Sequence, residues 1–273
     1  MKHFRFIATA LVILLLVQCA STEKKITLFN GQDLTGWDAY IAPPSDSVPP
    51  PGLNNDATHV FSVVNRNGAP ALRVSGEIYG GLSTQQEYKN YHLSLQFKWG
   101  ENKIPAFKDR RRDSGVLYHA VGPHGMDARS WMRSQECQIQ EGDCGDYWGV
   151  AGGVFDVPAT KNEKNEYRYD EKGTLMTFSA SSEVGRRCWK TPDAEKPYGE
   201  WNTVEIYCLG DTAFHVINGV VVMRLYHSRQ SDNGRETPLN KGKIQLQSEG
   251  CEVYYRAITL EPINEIPATI RPH

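Results

Sequence analysis

Between Trp131 and Trp148 the chain reads WMRSQECQIQEGDCGDYW, which gathers Glu136, Gln138, Gln140, Glu141, Asp143 and Asp146 between two tryptophans. A strand that only closes a core alternates apolar and polar residues and then ends. Acids and amides offer the bidentate acceptors that hydroxyls need, and flat rings suit the C–H faces of a pyranose. The residue types therefore point to a sugar. Glu136, Gln138 and Glu141 stand at i, i+2 and i+5. The first two share a strand face. A bulge or strand end near Gln140 is needed to bring Glu141 round to it.

Other residues extend this set. His119 follows the turn-like Asp113-Ser114-Gly115. With Tyr118 inward, it is expected to face the cleft, where imidazole can serve as base or ligand near neutral pH; the plainer reading is a structural histidine. Arg111 lies in a run of three arginines, which is either a solvated edge or a source of one guanidinium for a carbonyl or hydroxyls. Trp131 and Trp148 are expected to stack on sugar, and Trp37, Trp99 and Trp201 to fill the core. Gln245 and Gln247 face away from Ile244 and Leu246, so Gln247 either lines the cleft or belongs to a solvated face. Asp143 and Asp146 sit in a carboxylate-rich turn that lacks the full series of calcium ligands, and Asp143 is read as a supporting contact to substrate.

Strands must position these groups. Tyr91–Trp99 (YHLSLQFKW) places Leu93, Leu95, Phe97 and Trp99 on one face. Asn202–Leu209, Thr212–Ile217, Val220–Tyr226, Lys243–Gln247 and Glu252–Leu260 repeat the period of two. Shorter candidates are His59–Asn65, Ala71–Ser75, Ser114–Ala120, Gln135–Gln140 and Leu175–Ala180. Asn218-Gly219 reads as a hairpin turn. Ile41–Gly52 is a proline-rich loop and Pro158–Lys172 a charged surface loop. No long segment has helical periodicity. Many short strands predict an all-β, antiparallel sandwich.

The ends and the composition bound the setting. Lys2 and Arg5 precede an apolar run, Phe6–Val17, that is too short to span a bilayer as a helix. Leu16-Val17-Gln18-Cys19 resembles a bacterial lipoprotein signal, with Gln18 a departure from the usual small residue. Residues 1–19 are thus expected to be removed or lipidated at Cys19, residues 20–25 to form a tether, and residues 26–273 one domain. This predicts export, a lipid anchor in the membrane and a place at the cell envelope, most simply the outer membrane. A formal net charge of −2 gives no electrostatic case for nucleic acid. Of 6 cysteines, 5 remain once Cys19 is set aside. Export permits disulfides, but an odd count leaves a free thiol and pairing stays open.

The motifs resemble a known family in order and spacing. Leu28-Phe29-Asn30-Gly31-Gln32-Asp33-Leu34-Thr35-Gly36-Trp37 is similar to the opening of the 3-keto-disaccharide hydrolase family. Asp113–His119, Glu136–Glu141, Gly199–Asn202, Asn218-Gly219 and Gly242–Leu260 follow in family order, covering Ile26 to Ile263. The resemblance implies a concanavalin A-like jelly roll with sugar on its concave face. It also implies action on glycosides whose glucose unit has been oxidised to a ketone at C3. Laminarinase-type glycosidases carry Glu-x-Asp-x-x-Glu at the spacing of Glu136, Gln138 and Glu141. Here an amide replaces the middle acid, which weakens the case for plain retaining hydrolysis.

A C3 ketone acidifies the C2 hydrogen. Elimination of the aglycone followed by hydration then needs a base, an acid and positive charge near the enolate oxygen. Glu136, Glu141 and His119 are the expected catalytic groups. The same three form a mixed oxygen–nitrogen set for a divalent metal that would stabilise the enolate. In the alternative, Glu136 and Gln138 only bind hydroxyls. Two rival functions stay open: a non-catalytic lectin-like module, which needs fewer ionisable groups, and a retaining β-glucanase acting on unmodified glucans.

Overall fold

The structure is a computed structural model that describes residues 24–271 apart from 44 and 46. The expected signal, Cys19 and all but the end of the tether lie outside the described residues. Among the described residues, two antiparallel sheets of 7 and 12 strands form a jelly-roll sandwich, and the one helical turn is the short 3-10 segment Pro105–Phe107. The smaller sheet runs in the order Arg187–Cys188, Tyr147–Val150, Arg133–Gln140, Asp113–Val121, Lys243–Ser248, Gly80–Thr84, Trp37–Ile41. The spine of the larger sheet is Gly153–Lys161, Val220–Asp232, Thr212–Ile217, Asn202–Leu209, Tyr91–Lys103, Cys251–Pro262 and Ala69–Val74.

Period-two patterning builds the space between the sheets. Leu93, Leu95, Phe97 and Trp99 enter it from one sheet, and Val116, Tyr118, Cys137, Ile139, Ile244 and Leu246 from the other. Burying each such side chain contributes roughly 1.5–3 kcal/mol. Polar contacts also cross the gap: Ser114 Oγ lies 2.7 Å from Tyr255 Oη, and Tyr118 Oη lies 2.9 Å from His215 Nε2. The Asn218-Gly219 hairpin forms as expected. Both residues take positive φ, 50° and 81°, and Asn218 Oδ1 accepts the Thr203 amide at 2.8 Å.

Two expectations change, and the open question of cysteine pairing is answered. Pro158–Lys172 is not one loop: Gly153–Lys161 continues through its start, and Tyr167–Tyr169 pairs with that strand as an edge. Charged side chains at an edge hide the period. The 5 cysteines Cys137, Cys144, Cys188, Cys208 and Cys251 are all buried and unpaired. The register of Asp113–Val121 breaks between Tyr118 and Val121, where His119 adopts φ 52°. That bulge has consequences for the site.

Candidate functional site on the outer face of the smaller sheet

With Cys137 and Ile139 inward, Glu136, Gln138 and Gln140 project from the opposite, outer face. The same parity sends Asp113, Gly115 and Leu117 outward from the next strand, and Gln245 and Gln247 from the one after. Cross-strand pairing sets them side by side: Leu117 opposite Glu136, Gly115 opposite Gln138, Trp148 opposite Glu136, and Asp113 opposite Glu249. Gly115 leaves the floor bare. A methyl group there would collide with Glu136 Oε1 and Gln247 Oε1, so these two oxygens converge over it.

The floor holds polar atoms with nothing to bind. Gln138 and Gln247 are 6% and 2% exposed, and the Oε1 of each is buried without a partner. Asp113 Oδ1 is in the same condition, although its Oδ2 accepts from Gln140 Nε2 at 2.5 Å. An unpartnered buried acceptor costs about 1–3 kcal/mol. Three on one face are what hydroxyl donors of a ligand would satisfy.

The carboxyls resist ionisation. Burial lifts Glu136 well above the ordinary glutamate range, and Glu249 and Asp113 add to it, while Arg186 opposes. Burial also raises Asp113, against the Gln140 hydrogen bond. It raises Glu249 as well, with Asp113 and Asp127 adding and Arg186 opposing. These acids part with their protons less readily than exposed carboxyls, because full ionisation would put several negative charges in one poorly solvated place.

Aromatic walls flank the floor. Trp131, 8% exposed, packs with Leu117 and Val150, stacks on Tyr79 at 5.9 Å, and donates from Nε1 to the Gly80 carbonyl at 3.0 Å. Trp148 carries the guanidinium groups of Arg186 and Arg187 at 5.3 and 5.1 Å from its ring centre. Arg186 is tied to Asp127 at 2.5 Å, which joins two loops at the rim.

Several expected site residues go elsewhere. His119 does not face the cleft. The bulge at that residue reverses the strand's parity and turns the ring into the space between the sheets, 1% exposed, against Tyr91 and Tyr118 at 5.7 and 5.4 Å. Burial lowers its pKa to about 4, weakly opposed by the nearby Leu239 backbone, and neither ring nitrogen makes a hydrogen bond of proper geometry. Glu141 does not turn back onto the sheet face. The strand ends at Gln140, and the Glu141 carboxylate is held by the Arg112 guanidinium at 3.1 Å and its backbone amide at 3.2 Å. The expected metal set of Glu136, His119 and Glu141 therefore does not assemble, and no group of three or more such ligands does among the described residues. Arg111 is 61% exposed and bound to Asp143 at 2.8 Å; Asp143 also takes Arg187 at 2.8 Å. Both belong to an ion-pair network with Asp146, which Arg187 holds at 2.6 Å. Gln245 lines the face but is saturated by Ser83 and the Met132 amide.

The sequence reasoning passed over Asp113, Glu249, Asp127, Arg186, Tyr79 and Gly115 as site residues. Continuing the parity of Gln245 and Gln247 by one step reaches Glu249. Asp113 stood in a motif read only as a turn. Asp127, Tyr79 and Arg186 arrive from outside the strands, with no local signal.

Comparison with known proteins gives one extensive sequence match, to the 3-keto-alpha-glucoside-1,2-lyase-like domain over residues 24–261. No curated protein matches the chain. Two provisionally assigned glycosyl hydrolases of known structure, both from Parabacteroides distasonis, are similar to it. One has 20% identity over 88% of this chain and 100% of its own, at TM-score 0.49; the other has 16% over 88% and 94%, at 0.48. The carbohydrate-binding module CBM66 from Bacillus subtilis is similar at 6% identity over 74% of this chain and 91% of its own, at TM-score 0.41.

Proposed function

We infer, because this chain belongs to the 3-keto-alpha-glucoside-1,2-lyase-like domain family, that the outer face of its smaller sheet binds a glycoside bearing a C3 ketone and cleaves it. Membership places the chain among carbohydrate-active hydrolase-type domains. The finer assignment rests on the floor. Buried, unpartnered acceptors on Gln138, Gln247 and Asp113 suit a ligand rich in hydroxyl donors, and they sit beside the carboxyl of Glu136. Trp131, Trp148 and Tyr79 offer apolar faces for the ring.

Glu136 has the properties of a general acid. Its burial among other carboxyls keeps it protonated near neutral pH, so it can give a proton to the departing glycosidic oxygen. Arg186 is the guanidinium that both Glu136 and Glu249 feel, and it is a source of positive charge for a developing enolate. No step requires His119 or Glu141.

The test uses a chromogenic 3-keto-glucoside alongside its unoxidised counterpart. Release is expected from the keto substrate only. Glu136→Gln keeps the shape and removes the acid, and should lower kcat by about a hundred- to ten-thousand-fold with an unchanged melting temperature. Tight binding without release would show a lectin-like module. Equal release from the unoxidised glucoside would show an ordinary glucosidase. Either result overturns the reading.

A further inference from the structure

The elimination chemistry also needs a base, and the floor contains a pair of acids placed for it. Asp113 and Glu249 stand directly opposite each other on adjacent antiparallel segments. Their side chains share the face of Gly115 and Gln247. Directly opposed residues have Cβ atoms roughly 5 Å apart, and two like charges there repel. Arg186 and Arg187 offset that repulsion only in part, because each is committed to other carboxylates. The salt bridge of Arg186 goes to Asp127, and those of Arg187 go to Asp143 and Asp146. One oxygen of Asp113 is fixed by Gln140 at 2.5 Å, while the other is buried and free. Independently, the nine-tenths-buried Gln138 and Gln247 present their unpartnered Oε1 atoms on this same face, so a ligand is expected beside the pair.

We propose that the Asp113–Glu249 pair is the base of this site, taking the hydrogen from C2 of the bound keto sugar and returning it once the aglycone has left. This rests on the reading above that the substrate carries a C3 ketone. Two acids that repel keep one proton and one negative charge between them, so the pair can accept a proton and later donate one.

The atoms balance in two stages. The pair takes the C2 proton, and the C2–H electrons form C2=C3 with negative charge on the C3 oxygen. The enolate then restores C3=O and forms C1=C2 as the C1–O bond breaks. The leaving oxygen takes the Glu136 proton, which gives an enone and a free alcohol. Water next adds to C1 and passes a proton to the Glu136 carboxylate, while C2 recovers its proton from the pair. The sum is glycoside plus water to 3-keto sugar plus alcohol, with every carboxyl restored. A pair is better suited than a lone carboxylate, because a lone Asp at its ordinary pKa of about 3.9 is a weak base toward carbon.

Proton abstraction can be read without glycoside cleavage. Free 3-keto-glucose is incubated with the protein in D2O, and loss of the C2 hydrogen is followed by NMR. The wild type is expected to wash in deuterium. Asp113→Asn and Glu249→Gln should each slow the exchange by at least about a hundredfold. Both should melt within about 5 °C of the wild type. If Asp113→Asn fails to fold, the half-buried Glu249 carries the same test. Exchange at the wild-type rate in folded variants overturns the pair while the proposed function stands. So does a wild type that cleaves keto glycosides without exchanging C2. A wild type that neither exchanges nor cleaves rejects the function itself.

Discussion

Two glutamines on one strand, Gln135 and Gln138, show how the two faces of the smaller sheet differ. Gln135 points between the sheets. Its Nε2 donates to the Val154 carbonyl, Ser228 Oγ and the Arg229 carbonyl at 3.0, 3.1 and 3.1 Å, and its Oε1 accepts from Tyr147 Oη at 2.7 Å. Gln138 is almost as deeply buried on the outer face, yet its Oε1 has no partner. A core amide earns its place by saturation, since each unmade bond in a dry interior costs free energy that nothing returns. An outer-face amide left unsaturated is tolerable where a ligand supplies the missing donor. His119, with both nitrogens unpartnered, departs from this on the inner side, as do Tyr91 Oη and Trp99 Nε1.

The contrast breaks most visibly by apolar replacement. Gln135→Leu strands the Tyr147 hydroxyl and several carbonyl contacts, and should destabilise the fold by about 2–4 kcal/mol in chemical denaturation. Gln138→Leu removes an atom that is already unsatisfied, so its effect on stability should stay within about 1 kcal/mol. The same change should weaken binding of a keto sugar by roughly tenfold or more in calorimetry, because a hydroxyl then meets an apolar wall. Equal destabilisation by the two variants would erase the distinction between the faces.

The faces should also differ in their response to pH. Burial raises Asp113 and Glu249, so the folded state holds their protons more tightly than the unfolded chain. Their contribution is fully present below the unfolded carboxyl range and is lost as pH rises through neutrality. Burial lowers His119 and His215 to about 4. Their contribution is present above the unfolded value of about 6.5 and lost as pH falls toward 4. Stability should therefore peak between these limbs, in mildly acidic solution. Asp113→Asn or Glu249→Gln should flatten the alkaline limb, gaining on the order of 1–2 kcal/mol at pH 8 relative to pH 6 and leaving the acid limb alone. An unchanged alkaline limb in denaturation curves would mean that these acids ionise freely.

The strand framework was largely legible because alternation survives wherever one face is dry. Tyr91–Trp99, Asn202–Leu209 and Lys243–Gln247 all coincide with strands, and that period puts Glu136, Gln138 and Gln247 on one face. Trp37–Ile41 and Gly80–Thr84 were not foreseen. The first merges into a proline-rich loop, and Gly80-Gly81 carries no side-chain pattern to read. The bulge at His119 was invisible for another reason: a histidine, not a glycine, takes the positive φ, so no punctuation marks it. Arg186 and Asp127 lie 59 positions apart, and only the folded loops bring them together.

The smallest expected effect tests the histidine that the bulge turned inward. His119→Phe works through two opposed changes. Losing two unpartnered buried nitrogens is favourable by about 1–3 kcal/mol. Placing a bulky ring at φ 52° costs about 1–2 kcal/mol, because histidine tolerates the left-handed region better than phenylalanine. The packing against Tyr91 and Tyr118 is edge-on and suits either ring. The net change should therefore stay within about 1 kcal/mol, and turnover of a 3-keto-glucoside within about threefold of wild type. Removal of one titrating imidazole should also soften the acid limb of the stability curve. A folded His119→Phe protein that has lost turnover would mean that the inner face takes part in the chemistry, and the division between a packed interior and a waiting outer face would no longer hold.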